Sequence, residues 1–208
     1  MKFRRKAGAR AEETGAPESA DAVAAEGGPA PAGGPWDADE VPGGLVEGEM
    51  LDLGSLLLAP PEDHEVRLQV DEATQEVQSV LVAGPEAAVE LRAFAAPRGG
   101  SLWNDVMPRL AADYAQRGGT ATPHDGRYGT ELLCQLTVRA EDGRTVTQPS
   151  RVIGIDGPRW MLRATLLGRP AVEPEAEGPW DQVLESVVVR RGAQAMPVGA
   201  KEPFAKRL

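Results

Sequence analysis

Three runs in the first half of the chain alternate apolar and polar residues: EVRLQV (65–70), EVQSVLVA (76–83) and AVELRAFA (88–95). Alternation rich in β-branched residues puts successive side chains on opposite faces of a sheet, a period of two that no helix can use. Two further runs, TELLCQLTVRA (130–140) and RTVTQPSRVIGI (144–155), flank Asp142-Gly143, a dipeptide that favours a tight hairpin. The second leads into GIDGPRWMLRATLLG (154–168), where an Asp-Gly-Pro turn and an Arg-Trp pair return the chain into another apolar strand. VVVRRG (187–192) reads as a closing strand. A chain written this way must build a sheet.

Helical spacing occurs twice. Leu102, Trp103, Val106, Met107, Leu110, Ala111 and Tyr114 recur at three and four residues, which predicts a long helix over 102–117. Ser101 suits its N-cap, Asp105 its first turn, and Gly118-Gly119 its stop. Pro108 falls inside the run and is expected to kink the helix or delay its start. WDQVLESV (180–187) is a short helix with Trp180, Val183, Leu184 and Val187 on one face. TATPHDGRYG (120–129) and RPAVEPEAEGP (169–179) read as loops. The expected fold is α+β: a single, mostly antiparallel β-sheet with one long and one short helix packed on it.

Residues 1–33 are Ala, Gly, Pro and Glu with hardly a large apolar side chain, so they predict a disordered N-terminal tail. Residues 193–208 predict a flexible C-terminal tail, leaving one domain over 34–192. Trp36 is the first large apolar anchor.

The formal net charge of −10 argues against nucleic-acid binding, which needs a basic face. Residues 36–90 hold fourteen acids against one base, Arg67, so an acidic face is expected there. Such a face is either simply solvated, complemented by arginines of the later strands, or turned to a basic partner. The basic N-terminus, MKFRRKAGAR, has no apolar stretch after it and no run reaches membrane-spanning length. With a lone Cys134 that cannot form an internal disulfide, a cytoplasmic protein with no membrane contact is the expectation.

Few residues suggest chemistry. His64 and His124 stand in Pro-flanked, charged segments without further ligands at zinc spacing, so no metal is expected. No nucleophile elbow, Walker loop or dinucleotide fingerprint appears, so no cofactor is expected. The one conspicuous constellation is Asp156, Arg159 and Trp160 at the hairpin tip. Asp156 could act as a general base with Arg159 as an anion clamp, or the tip could bind a ligand. The structural alternative has Asp156 bracing the turn, Arg159 paired to it and Trp160 packed beneath.

The words GPWDADEV (34–41), LDLGSLLLAP (51–60), FAAPRGGSLWNDV (94–106), GTELLCQL (129–136), GIDGPRWMLRATLLG (154–168) and VVVRRG (187–192) together resemble an actinobacterial family known only as a domain of unknown function. The element order is also similar to the Mog1/PsbP-type fold. The resemblance implies no reaction and brings no catalytic residues. The favoured function is therefore a non-enzymatic binding or adaptor module for a protein partner, one that is basic if the acidic face is used. The alternatives are a small-ligand carrier with a pocket between sheet and helix, and an enzyme centred on Asp156 and Arg159.

Overall fold

The computed structural model describes residues 33–41, 50–139, 143–192 and 195–204. The chain opens with three short strands, β1 (Trp36–Asp37), β2 (Leu51–Asp52) and β3 (Leu56–Leu58). It continues through β4 (Glu65–Val70), β5 (Val77–Ala83), β6 (Ala87–Ala95), α1 (Leu102–Gln116), β7 (Thr120–Gly126) and β8 (Gly129–Arg139). β9 (Thr145–Gly157), β10 (Trp160–Gly168), α2 (Arg169–Val172), α3 (Pro179–Ser186) and β11 (Val188–Val189) complete it.

The alternating runs form a seven-stranded sheet in the order β4-β5-β6-β10-β9-β8-β7, every neighbouring pair antiparallel. The expectation of a single sheet is corrected, because β1, β11, β3 and β2 form a second, four-stranded one. Its strands are two or three residues long, too short to display a period, and β1 lies parallel to β11 from the far end of the chain. Only long-range pairing creates this sheet.

The two faces of the large sheet are covered differently. Leu91 of β6, Ile153 of β9 and Leu162 of β10 point to the face buried under the small sheet and α3, against Leu56, Trp180 and Val183. On the opposite face, Leu132, Cys134, Val152 and Met161 meet Leu102 and Trp103 of α1. The result is α1, large sheet, then small sheet with α3. Full burial of each such aliphatic side chain contributes about 1.5–3 kcal/mol, so these two seams hold the layers together.

Three local expectations are revised. α1 starts at Leu102, with Ser101 accepting from the Asn104 amide, and Pro108 lies on its exposed side without delaying the start. The segment around Pro123 is no loop but strand β7, at the sheet edge, the place where a strand tolerates the proline's missing donor. Within the expected C-terminal tail, residues 195–204 are anchored. Gly199, Ala200 and Glu202 exchange backbone hydrogen bonds with Ala93 and Ala95 of β6, and Phe204 packs on the core. Pairing through the backbone leaves no apolar pattern, so the anchor has no signal in the composition. The expected N-terminal tail lies outside the described residues except for Gly33, as do residues 193–194 and 205–208. Of the expected Asp142-Gly143 turn, Gly143 is described, at φ 82°, and β8 and β9 pair as a hairpin.

Candidate functional site

The tip of the β9–β10 hairpin is Pro158-Arg159, between the paired Gly157 and Trp160. Proline first and a left-handed residue second (Arg159, φ 69°) is the type II arrangement. The three residues singled out there go three ways. Trp160 is 1% exposed, and its indole N–H donates to Asp37 Oδ2 at 2.6 Å, tying the large sheet to β1. Asp156 reaches to the start of α1, where it accepts from Ser101 Oγ (2.5 Å), the Leu102 amide (3.0 Å) and the Trp103 amide (3.3 Å). A carboxylate here satisfies orphan amides and meets the positive end of the helix dipole. Arg159 is exposed beside a hollow of about 200 Å³ shared with Asp37, Asp39, Arg190 and Arg191. The expected Asp156–Arg159 pair does not form; among the described residues no hydrogen bond or ion pair joins the two.

Two glycines make this packing possible. A Cβ on Gly154 would fall 2.1 Å from the Trp103 ring, and one on Gly157 would fall 2.2 Å from the Trp160 ring. The Gly154-Ile155-Asp156-Gly157 word therefore seats one tryptophan on each face of β9.

A larger opening lies elsewhere, on the α3 face at the β7–β9 end of the sheet. A cleft of about 580 Å³ runs between β7, the middle of β9, the segment after α2 and α3. This volume is in the range of small-molecule and side-chain sites. Glu131 of β8 is fully buried behind it, with Oε1 accepting from Arg151 Nε at 2.7 Å. Arg151 is fixed in turn by the Pro174 carbonyl at 2.7 Å. The second carboxylate oxygen of Glu131 has no partner. It lies beside Gly126, where an added Cβ would come within 2.6 Å of it. His124 stands 3.1 Å from Glu175 Oε1 and 3.9 Å from Glu131 Oε1.

Charge around the cleft is unbalanced. Arg127 is held by Glu185 at 2.5 Å and Arg151 by Glu131. Asp181 and Glu185 are four residues apart on α3 and share one face, while Trp180, Val183 and Leu184 turn to the core. Glu175 and Glu177 add two exposed carboxylates on the opposite wall. Burial pushes the Glu131 carboxyl above the usual range, by more than Arg151 pulls it down. An acceptor left unsatisfied in such a place is costly to the fold, on the order of 1–3 kcal/mol.

The acidic stretch over 36–90 is partly consumed internally. Asp52 pairs with Arg190 at 2.7 Å, and Glu86 with Arg169 at 3.2 Å. Arg190 holds the Asp52 carboxyl below its ordinary range. Cys134 is buried and its thiol is pushed up to about 11, which makes it an inert core residue at neutral pH. Among the described residues, no group of three or more His, Cys, Asp or Glu side chains is placed to hold a metal ion. No helix among them is long and apolar enough to cross a membrane.

A family model described as "Protein of unknown function (DUF3710)" matches residues 34–205. The chain belongs to the DUF3710 family. The matched span contains the hairpin tip, every described wall of the cleft and the anchored 195–204 segment. No curated protein matches the chain. One solved structure, from Bacteroides thetaiotaomicron, is 13% identical with a TM-score of 0.36, over 69% of this chain and 48% of that one. The chain thus spans about half of that structure, and a likeness so slight has no bearing on fold or function.

In this DUF3710 domain the sequence pointed to the tip and away from the cleft. His124 has no further ligands at zinc spacing in the sequence, and Glu131, Arg151 and Glu175 belong to no motif there. One signal was present: Glu131 and Arg151 are charged residues inside otherwise apolar strand runs, and a charge at an inward position must find a partner.

Proposed function

We propose that this DUF3710 protein is a non-enzymatic binding module whose cleft receives a basic segment of a protein partner. The observation that carries the reading is the buried Glu131 carboxylate, with one oxygen unpartnered, behind a cleft whose arginines are already paired. A guanidinium or ammonium group entering between His124 and Arg127 would complete that carboxylate's hydrogen bonding. Glu175, Glu177 and Asp181 supply the field that draws it in. We place the module in the cytoplasm, in keeping with its single buried thiol, and take the sequence pattern as actinobacterial and the element order as Mog1/PsbP-like.

The small-ligand carrier remains a second reading on one observation. A hollow of about 260 Å³ lies between the start of α3 and the β5–β6 turn, lined by His64, Pro85, Pro179 and Trp180. His64 Nδ1 and Trp180 Nε1 are both buried without partners there.

The test is fluorescence anisotropy of a labelled peptide of alternating Arg and Ala, titrated with the full chain at low salt. The Glu175→Gln/Glu177→Gln variant, which alters only exposed side chains, is expected to bind about tenfold more weakly, a loss of about 1.4 kcal/mol. Glu72→Gln/Glu76→Gln, the same charge change on the β4–β5 turn, is the control and should leave affinity unchanged. Equal weakening by both pairs means bulk charge attraction and refutes the cleft.

A further inference from the structure

Gly33 lies at the rim of the cleft. A Cβ on Gly33 would lie 3.0 Å from Arg127 Nη2 and 3.7 Å from Glu185 Oε1, two groups of the cleft wall. β1 then leaves along α3, with Trp36 Nε1 donating to the Glu185 carbonyl at 3.1 Å. Everything before Gly33 is therefore tethered at the rim of an acidic opening.

The charge of that tethered segment is sharply divided. Residues 1–10 contain Lys2, Arg4, Arg5, Lys6 and Arg10 and no acid. Residues 11–32 contain five acids and no base. The far end is thus attracted to the cleft by its charge, while the acidic stretch beside Gly33 is repelled by it. A linker of 22 residues has a root-mean-square reach of about 26 Å, ample for the basic end to return to an opening next to its own tether. Held this way, the basic end faces the cleft at an effective concentration of about millimolar.

We propose that the chain's own basic segment, Lys2–Arg10, occupies the Glu131 cleft in cis and competes with the basic partner. The inference rests on the reading of the cleft as a site for basic segments, and adds regulation to it. A partner gains access only by outcompeting the tail, so any change that removes positive charge from residues 2–10 opens the site. Charge complementarity, tether position and linker length all favour this occupant.

The experiment uses the full chain and a labelled peptide of sequence MKFRRKAGAR as probe, read by anisotropy at low salt. One variant neutralises the tail: Lys2→Gln, Arg4→Gln, Arg5→Gln, Lys6→Gln and Arg10→Gln together. It is expected to bind the probe about tenfold more tightly than the parent, and adding Glu175→Gln/Glu177→Gln should cancel the gain. Equal, cleft-dependent affinity in parent and tail variant overturns the cis arrangement and leaves the basic-partner reading standing. No binding to either protein overturns both. A parent that sediments as a dimer, with the tail variant monomeric, assigns the tail to the cleft of a second copy and overturns occupancy in cis.

Discussion

Replacing Asp156 by alanine tests whether the hairpin tip braces the fold. The carboxylate accepts three hydrogen bonds at the start of α1, two of them from the amides of Leu102 and Trp103. Ser101 already serves Asn104, so it cannot replace the lost acceptor. Loss of a cap costs about 0.5–2 kcal/mol, and loss of an anion at a helix N-terminus about 0.3–1 kcal/mol. The half-buried setting adds the cost of orphaned amides, and the overlapping contributions come to about 2–3 kcal/mol. Urea unfolding at a slope of about 2–3 kcal/mol per molar converts this into a midpoint lowered by about 1 M. Asp156→Asn keeps an acceptor without the charge and should lose about half as much. Because no hydrogen bond or ion pair joins Arg159 to Asp156, Asp156→Ala and Arg159→Ala should add within about 0.5 kcal/mol. An Asp156→Ala variant as stable as the parent, or more so, refutes the bracing role and returns the tip to consideration as a ligand site.

Trp160→Ala should lose about 3–5 kcal/mol in denaturant unfolding, since a fully buried indole is deleted and the Asp37 acceptor stranded. Trp160→Phe, which forfeits chiefly the charged hydrogen bond, should lose about 1.5–3 kcal/mol. Gly154→Ala should lower the melting temperature markedly, at a cost of about 1–3 kcal/mol, because its Cβ meets the Trp103 ring. Gly99→Ala, which meets open space, should change stability by less than about 0.5 kcal/mol. At alkaline pH the parent should lose stability. The thiol ionises near 9.0 unperturbed but about 11 when buried as Cys134, and Tyr128 is pushed from 10.0 to about 12. The unfolded chain therefore releases these protons first, and stability falls as pH rises past about 9. Melting curves of Cys134→Ala should show a shallower fall between pH 9 and 11; an unchanged profile means Cys134 contributes nothing to it.

Where local pattern decides the structure, the sequence was legible. The alternating runs became β4, β5, β6, β8, β9 and β10, and the three- and four-residue spacing became α1 and α3. The Asp-Gly-Pro turn was found in place, with Trp160 buried beneath it. What escaped depends on partners far apart in sequence. The small sheet joins Trp36 to Val188 across the chain, and residues 199–202 pair with β6 through their backbone alone. By sequence alone Asp156 reads as a turn residue or a base, because its partner, the first turn of α1, lies 53 to 55 positions earlier. The cleft was hidden for the same reason. His124 and Glu131 pair in register across β7 and β8, but Glu175 and Asp181 arrive from beyond the next hairpin. Pro123, beside His124, carries a turn signal in the sequence although it occupies strand β7 at the sheet edge.

Seating of a basic segment in the cleft is read most directly from backbone amide chemical shifts. The tail-neutralised full chain, ¹⁵N-labelled, is titrated with the Arg-Ala peptide. The largest shifts should fall on His124–Arg127 at the end of β7 and into the β7–β8 turn, on the segment carrying Glu175 and Glu177, and on Asp181–Glu185 of α3. The hairpin tip at Gly157–Trp160 should stay still. Shifts centred on the tip, or spread evenly over the acidic surface, would contradict the cleft as the binding site.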